Sequence, residues 1–485
     1  MLLSSDPVQK KRTECVQALH QSAAQIVAAL SGGGTFFLSD ILATPGGSRT
    51  LIEASIPYSH ESISNYIGRV PEHFCGQRTA RMLAMTAFYN ARKVLRSERL
   101  RQQGYIDIKR ASPKKVDISH EVDDISESAI IRSFDFIEPA DLGEFDAYKH
   151  VIGIACTATL ATDRPKAGDH RVHIAIQTLQ QTSQFSLKLQ KNARSRSEEE
   201  RLVADMILNA VETTRQDARQ CEMMIEESES EGLGRSTLIS GLSENYPLRE
   251  TIPLKLKPEE QVLGRRVVAS PLLVDLFFGK ISAVLWMNEG VQHLVSIEEE
   301  FPSDYPFNTN AEFTQAIFPG AFNPMHQGHL EMLNIAEQYL QEKIVLEISV
   351  QNVDKPPFDY IELEQRLSQI DKMKPGQAVW LTQTPLFLDK AALFQGTTFV
   401  VGADTLRRLA DLRFYQENVH KLHELLRSIA YYNCRFLVFA RQSKTGIESM
   451  DTLDMPDMLR SLCDDVPASV FTMDISSSDL RRKEI

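Results

Sequence analysis

From residue 313 to residue 485 the chain alternates short apolar runs with amphipathic stretches, a pattern that few folds satisfy. The runs TQAIFPG, KIVLEISV, AVWLTQ, TTFVVGAD, CRFLVFAR and SVFTMDI are strand-like, and helical periodicity over 328–341, 360–373 and 415–430 lies between most of them. Strands separated by helices do not pair through tight turns; each helix carries the chain back, so that the next strand lies parallel to the last. Such a sheet is covered on both faces, which is why its strands read as continuous apolar runs. Ligands of these sheets bind outside the carboxyl ends of the strands.

One loop at that edge has an unusual composition. Between the strand expected at 315–319 and the helix expected at 328–341 runs GAFNPMHQGH. Gly320 and Gly328 permit backbone approaches that a Cβ would block, and Pro324 stiffens the turn. His326 and His329 flank the start of the helix, whose free N–H groups and positive dipole end favour anions. Two imidazole donors there suit triphosphate oxygens and can stabilise charge that develops during nucleotidyl transfer, with no covalent intermediate. Two other readings stay open on these residues alone. A histidine pair is also a fragment of a metal site, although no further Cys/His cluster lies nearby to complete one, and a glycine-rich turn needs no ligand.

Gly320, Phe322, Pro324, His326, Gly328 and His329 match GxFxPxHxGH position by position. This resembles the signature of the HxGH nucleotidylyltransferase superfamily, which includes the nicotinamide/nicotinate mononucleotide adenylyltransferases and the cytidylyltransferases. The family's late motif, ISSTxIR, is answered by ISSSDLR at 475–481, where Ser476, Ser477 and Arg481 match and Ser478 and Leu480 replace threonine and isoleucine. Physically that motif is a helix start with hydroxyls and a guanidinium directed at a triphosphate. FVVGADTLRRL resembles the family's GxD through Gly402 and Asp404, and NVDKPPFDY places Lys355 where the family holds the substrate phosphate. The resemblance implies a Rossmann-like domain with His326, His329 and Arg481 as catalytic residues. It further implies that Gly320, Ala321, Phe322, Asn323, Gly328, Gly402, Asp404, Ser476 and Ser477 line the nucleotide, with Lys355 on the substrate phosphate. ATP and a mononucleotide acceptor, nicotinate or nicotinamide mononucleotide, are the implied substrates; Mg²⁺ would arrive with the ATP rather than in a protein cage. Two alternatives are a CTP-dependent cytidylyltransferase acting on an alcohol or sugar phosphate, and a nucleotide-binding regulatory or scaffold protein.

The front half is less regular. Apolar residues over 13–30 have near-helical spacing and stop at SGGGT, so 13–30 is expected as a helix and 31–34 as a tight loop. A polar, mixed-charge excursion spans 108–148; strands are expected at HVIGIACTA, RVHIAIQTL and QFSLKL, followed by a helix over SEEERLVADMILNAVETTRQ with an acidic first turn. The stretch CEMMIEESESEGLGRS reads as a boundary. The expected organisation is 1–215, a connecting module at 216–312, and 313–485. Ser31, Gly34, Pro45, Gly46, Ser48, Tyr58 and Ser59 sit at places that resemble the opening of the competence/damage-inducible protein A C-terminal domain, a family that includes the nicotinamide mononucleotide amidohydrolases. Gly153, Ile154, Ala155, Pro165, Lys166 and Gly168 resemble a later segment of it. The resemblance implies a front α/β domain with an amidohydrolase-like pocket at Ser31, Gly34, Ser48 and Tyr58. The chain departs from the pattern: Leu30 replaces a glutamate, Gly32 and Gly33 replace Cys-Thr, and Ile63 stands where the family has a lysine. A serine without a neighbouring base is a poor nucleophile. Nucleotide binding through the glycine loops and self-association both stay open for this domain.

Composition narrows the class. Across 485 residues, 42% are apolar and 24% charged, and the formal net charge is −12 with no basic arm. That argues against a protein whose main task is holding a nucleic-acid backbone. No stretch approaches the ~20 apolar residues that span a bilayer. The six cysteines are scattered with no CxxC pair, which suits a reducing, cytoplasmic compartment.

Overall fold

A computed structural model describes residues 6–102, 148–163, 167–230, 240–243, 245–288, 292–297, 315–351, 357–415, 418–443 and 446–471. They form two compact α/β units, each built on its own sheet.

The first unit contains helices α1 (Pro7–His20), α2 (Thr35–Ala43), α3 (Gly47–Thr50), α4 (His60–Ile67), α5 (Gln77–Gln102) and α6 (Arg196–Ser230). Its strands are β1 (Gln25–Ser31), β2 (Leu51–Ser55), β3 (Val151–Thr159), β4 (His170–Gln177), β5 (Gln181–Leu189), β6 (Ser240–Ser243) and β7 (Val262–Val268), in the order β2-β1-β3-β4-β5-β7-β6. β1 runs parallel to both of its neighbours, β2 and β3; the remaining pairs are antiparallel. One core joins Ile26, Ala28, Leu30, Ile154, Ile174 and Phe185 of the sheet to Leu19, Phe37, Ile41, Val203 and Ile207 of α1, α2 and α6.

Residues 13–30 are not one helix. α1 ends at His20, and Gln25–Ser31 is a central strand with all but its first residue buried. A short apolar run buried on every side carries no period, so QIVAALS reads equally as the end of a helix. The acidic stretch beyond 215 does not interrupt α6, which runs on to Ser230 because Glu and Met are good helix formers. The stretch 216–312 is shared between the sheets: β7 closes on β5 in the first, and β8 and β9 belong to the second. The excursion at 108–148 lies outside the described residues except for Tyr148.

The second unit has strands β8 (Ala283–Asn288), β9 (Gln292–Ser296), β10 (Ala316–Pro319), β11 (Val345–Ser349), β12 (Val379–Thr382), β13 (Thr398–Gly402), β14 (Arg435–Phe439) and β17 (Cys463–Val466), in the order β17-β14-β13-β10-β11-β12-β8-β9, plus a hairpin of β15 (Arg441–Ser443) and β16 (Gly446–Glu448). The six strands from β17 to β12 are parallel, and β8 and β9 extend the sheet antiparallel, with β9 at the edge. Helices after α7 (Pro271–Phe277) include α8 (Gln327–Leu340), α9 (Tyr360–Met373), α10 (Phe387–Leu393), α11 (Ala403–Ala410) and α12 (Val419–Tyr431). This is the Rossmann-like parallel sheet expected for the region. The last strand differs: Val470 lies in a turn closed by its N–H on Pro467 O, and the edge strand is the polar CDDV of β17. A half-exposed edge strand of this composition carries no apolar signal.

The chain lays β11 and β12 on one side of β10, then crosses to place β13 and β14 on the other. The switch point is therefore the crevice between the carboxyl ends of β10 and β13, where doubly wound sheets bind ligands.

Candidate functional site

The expected histidine loop leaves β10 at this switch point. Gly320 follows the strand, its N–H donating to Glu347 O at 2.9 Å. The loop is held from below by α9. Arg366 Nη1 donates to Ala321 O at 2.6 Å, and Arg366 Nη2 and Asn323 Nδ2 both donate to Glu362 Oε1, at 2.7 and 3.0 Å. Glu362 and Arg366 are buried, so the clamp is charge-assisted and little screened. Phe322 is almost fully buried with a positive φ of 42°, and the Asn323–Pro324 peptide is cis.

That arrangement delivers the two histidines to the first turn of α8. His326 is the residue before the helix, with extended backbone, and Gly328 is buried within the first turn. The imidazoles of His326 and His329 stack with centroids 3.7 Å apart and planes 27° apart. Phe322 and Phe318 meet His329 edge-on at 5.2 and 6.1 Å and hold its plane. The His326 N–H donates to His329 Nδ1 at 3.2 Å. An accepting Nδ1 places the proton of the neutral ring on Nε2, which makes His329 a hydrogen-bond donor on its other edge. His326 Nδ1 is buried without a hydrogen-bond partner. Burial, the neighbouring imidazole and Arg441 push His329 down to about 3, and burial and Arg441 lower His326. Both rings are neutral donors at physiological pH.

Across the crevice, β13 ends in Gly402 and α11 begins at Ala403, so Asp404 lies in the first turn of that helix. Its carboxylate folds back over the glycine two residues earlier: Oδ1 lies 2.6 Å from where a Cβ on Gly402 would stand, so a side chain there would push the carboxylate aside. Oδ2 accepts from Arg441 Nη1 at 2.5 Å. The expected nucleotide-facing acid is thus engaged by a cation. Arg441, together with the Glu362–Arg366 clamp, was not apparent from the sequence; its signal is a cation two residues after the end of the buried strand β14. Lys355, Ser476, Ser477 and Arg481 lie outside the described residues. Among the described residues no group of three or more His, Cys, Asp or Glu side chains could hold a metal ion.

The first unit has its own glycine loop after β1. Gly32 has a φ of 77°, and a Cβ there would lie 1.9 Å from Ala158 O, so no other residue fits. Gly34, also left-handed, precedes α2. The helix start is filled by a side chain from α6: Thr35 N and Oγ1 both donate to Glu200 Oε1 at 2.6 Å, across 165 residues of sequence. A cavity of about 460 Å³ beside it is lined by Leu30, Gly33, Phe36, Tyr58, Arg196 and Glu200 among others. Of the expected pocket residues only Tyr58 lines it. Ser31 ends β1 and is buried, Gly34 packs against Ile207, and Ser48 is exposed on α3. Ile63, at the place of the family's lysine, is 2% exposed on the inner face of α4. Lys166 and Pro165 lie outside the described residues.

Residues 317–483, about a third of the chain, match the cytidylyltransferase-like family model. Among solved structures, the competence/damage inducible protein CihA from Agrobacterium tumefaciens aligns at 12% identity over 44% of this chain and 97% of that one, with a TM-score of 0.26. A TM-score of that size leaves the fold to be read from strand order. No curated protein matches the chain. No described helix is long and apolar enough to cross a membrane.

Proposed function

We propose that the second unit is a nucleotidylyltransferase that moves a nucleoside monophosphate from a triphosphate to a phosphate-bearing acceptor. An oxygen of the acceptor phosphate attacks the α-phosphorus, the bond to the bridging oxygen breaks, and the electron pair leaves with pyrophosphate. The observation that carries this reading is the stacked pair His326 and His329 at the start of α8, at the sheet's switch point, with both rings held neutral and His329 committed as an Nε2–H donor. The matched family at 317–483 supports the same chemistry. Donors fixed in place before charge develops stabilise the pentavalent transition state without reorganising. No side chain need act as nucleophile, and Mg²⁺ would come with the triphosphate.

ATP is the favoured donor and nicotinate or nicotinamide mononucleotide the favoured acceptor, supported by the motif resemblance in this region. Cys15, Cys75, Cys156, Cys434 and Cys463 are unpaired, which suits a cytoplasmic setting. The test is pyrophosphate release with ATP and with CTP across a panel of mononucleotide, sugar-phosphate and alcohol-phosphate acceptors. Turnover with CTP alone would overturn the pyridine-nucleotide reading and leave the transferase; no release with any pair would overturn both.

A further inference from the structure

Three groups converge on the switch point from three adjacent strands. His326 and His329 follow β10, Asp404 follows β13, and Arg441 follows β14, which pairs with β13 up to Gly402 opposite Phe439. Arg441 opens the β15–β16 hairpin, where it faces Glu448. Two ion pairs tie the base of that hairpin to α11: Asp404 with Arg441 at 2.5 Å and Arg407 with Glu448 at 3.5 Å.

The two pairs differ in setting. Arg407 is 55% exposed, whereas the Arg441 and Asp404 side chains are 27% and 30% exposed, at the edge of the crevice. A guanidinium has five N–H donors. Among the described residues Arg441 commits one nitrogen to Asp404, and no other hydrogen-bond partner is present there. Its charge reaches both imidazoles and lowers the proton affinity of each. Glu362, the α9 carboxylate that holds the loop, is already engaged by Arg366 and Asn323. The crevice therefore gathers a cation with spare donors, two imidazoles and an unpartnered buried ring nitrogen, with one carboxylate that points to the cation itself. Such a set is unbalanced until an anion enters.

We infer that Arg441 is a substrate-contacting residue, whose free guanidinium edge takes an oxygen of the triphosphate beside His329, and that Asp404 is the positioning residue that aims it. The inference rests on the nucleotidyl-transfer reading for the identity of the anion. It reassigns Asp404 from the nucleotide to the arginine. It also gives the glycine two residues earlier a role, since the missing Cβ at Gly402 leaves room for Asp404 Oδ1 while Oδ2 holds Arg441.

The experiment titrates inorganic tripolyphosphate into the full chain by calorimetry and, in parallel, measures pyrophosphate release. Variants are Arg441→Ala, Arg441→Lys, Asp404→Asn and Arg407→Ala, each checked for folding by circular dichroism. Loss of one charge-assisted contact should weaken tripolyphosphate by about tenfold to a hundredfold in Arg441→Ala, with partial recovery in Arg441→Lys and a smaller loss in Asp404→Asn. Arg407→Ala severs the hairpin's other tie and should bind like wild type. Removing Arg441 should also raise the titration of His326 and His329 followed by imidazole NMR, a change that mere loosening of the hairpin in Arg407→Ala would not produce. Binding by Arg441→Ala within twofold of wild type overturns the inference, as does equal weakening in Arg407→Ala. If wild type binds tripolyphosphate through Arg441 yet releases no pyrophosphate from any substrate pair, the inference stands and the proposed function falls. If wild type does not bind it, both fall.

Discussion

The two units place a glycine loop at the same kind of position and finish it in opposite ways. β1 and β10 each lie between parallel neighbours, and each runs through glycines into the start of a helix, α2 or α8. At α8 the donors are left for a ligand: neutral imidazoles, an unpartnered His326 Nδ1 and Arg441 nearby. At α2 the donors are spent inside the protein, because Glu200 accepts from both the backbone and the side chain of Thr35. A helix start is an anion site only while its N–H groups are free. The two loops thus share a topology and differ in one carboxylate from α6, which already occupies the donors at the start of α2.

The largest expected effect breaks the rear loop. His329→Ala removes an oriented donor from the transition state and should lower kcat for pyrophosphate release by about a hundredfold to a thousandfold. The ring is only partly buried, so the variant should keep its fold by circular dichroism; turnover like wild type would remove the catalytic reading of the pair.

Next is the carboxylate that separates the loops. Glu200→Ala leaves the amide and hydroxyl of Thr35 without their acceptor, at a cost of about 1–3 kcal/mol, read as faster hydrogen exchange across 31–43. Wild type should bind a single equivalent of tripolyphosphate per chain. A second equivalent, lost in a Gly34 or Thr35 variant, would show that the front loop is not closed to anions.

Acid should act on both units through one partly buried histidine each. Burial, His326 and Arg441 lower His329 to about 3, and burial and Arg171 lower His173 to about 4. Unfolded rings take up a proton near pH 6.5 that the folded rings refuse. Stability is therefore full above that pH and falls as pH drops towards 4, with a slope of at most ~1.4 kcal/mol per pH unit for each ring. His329→Asn should flatten the acid slope of exchange protection in the second unit alone, and His173→Gln that of the first alone. Flattening of both by either variant would mean that the slopes arise elsewhere.

What the sequence made legible follows from how local each signal is. The histidine loop is contiguous, and its glycines, proline and histidines each state a backbone or chemical requirement in place, so it could be located between its strand and helix within one or two residues. Arg441 and Glu200 act on loops far from them in sequence, and no local pattern marks an arginine or a glutamate as the partner of a particular turn. β1 was misread because a strand buried on all sides loses its period, and β17 because a polar edge strand never had an apolar one. Ile63 is the converse case. Its mismatch with the family's lysine was visible in the sequence, and its burial on α4 shows that this position faces the core.

The smallest effect is expected at Ser31. It ends β1 and does not line the front cavity, and the position from which a lysine would activate it is occupied by a buried isoleucine. A serine hydroxyl needs a base within hydrogen-bond reach to attack an amide. Ser31→Ala should therefore change stability by about 1 kcal/mol or less, leave pyrophosphate release untouched, and have no ammonia release from nicotinamide mononucleotide to abolish. Ammonia release by wild type that Ser31→Ala removes would break the comparison at its front half: the loop at α2 would then be a working site despite its internal carboxylate, and the difference between the two units would lie in what they transfer rather than in whether they bind.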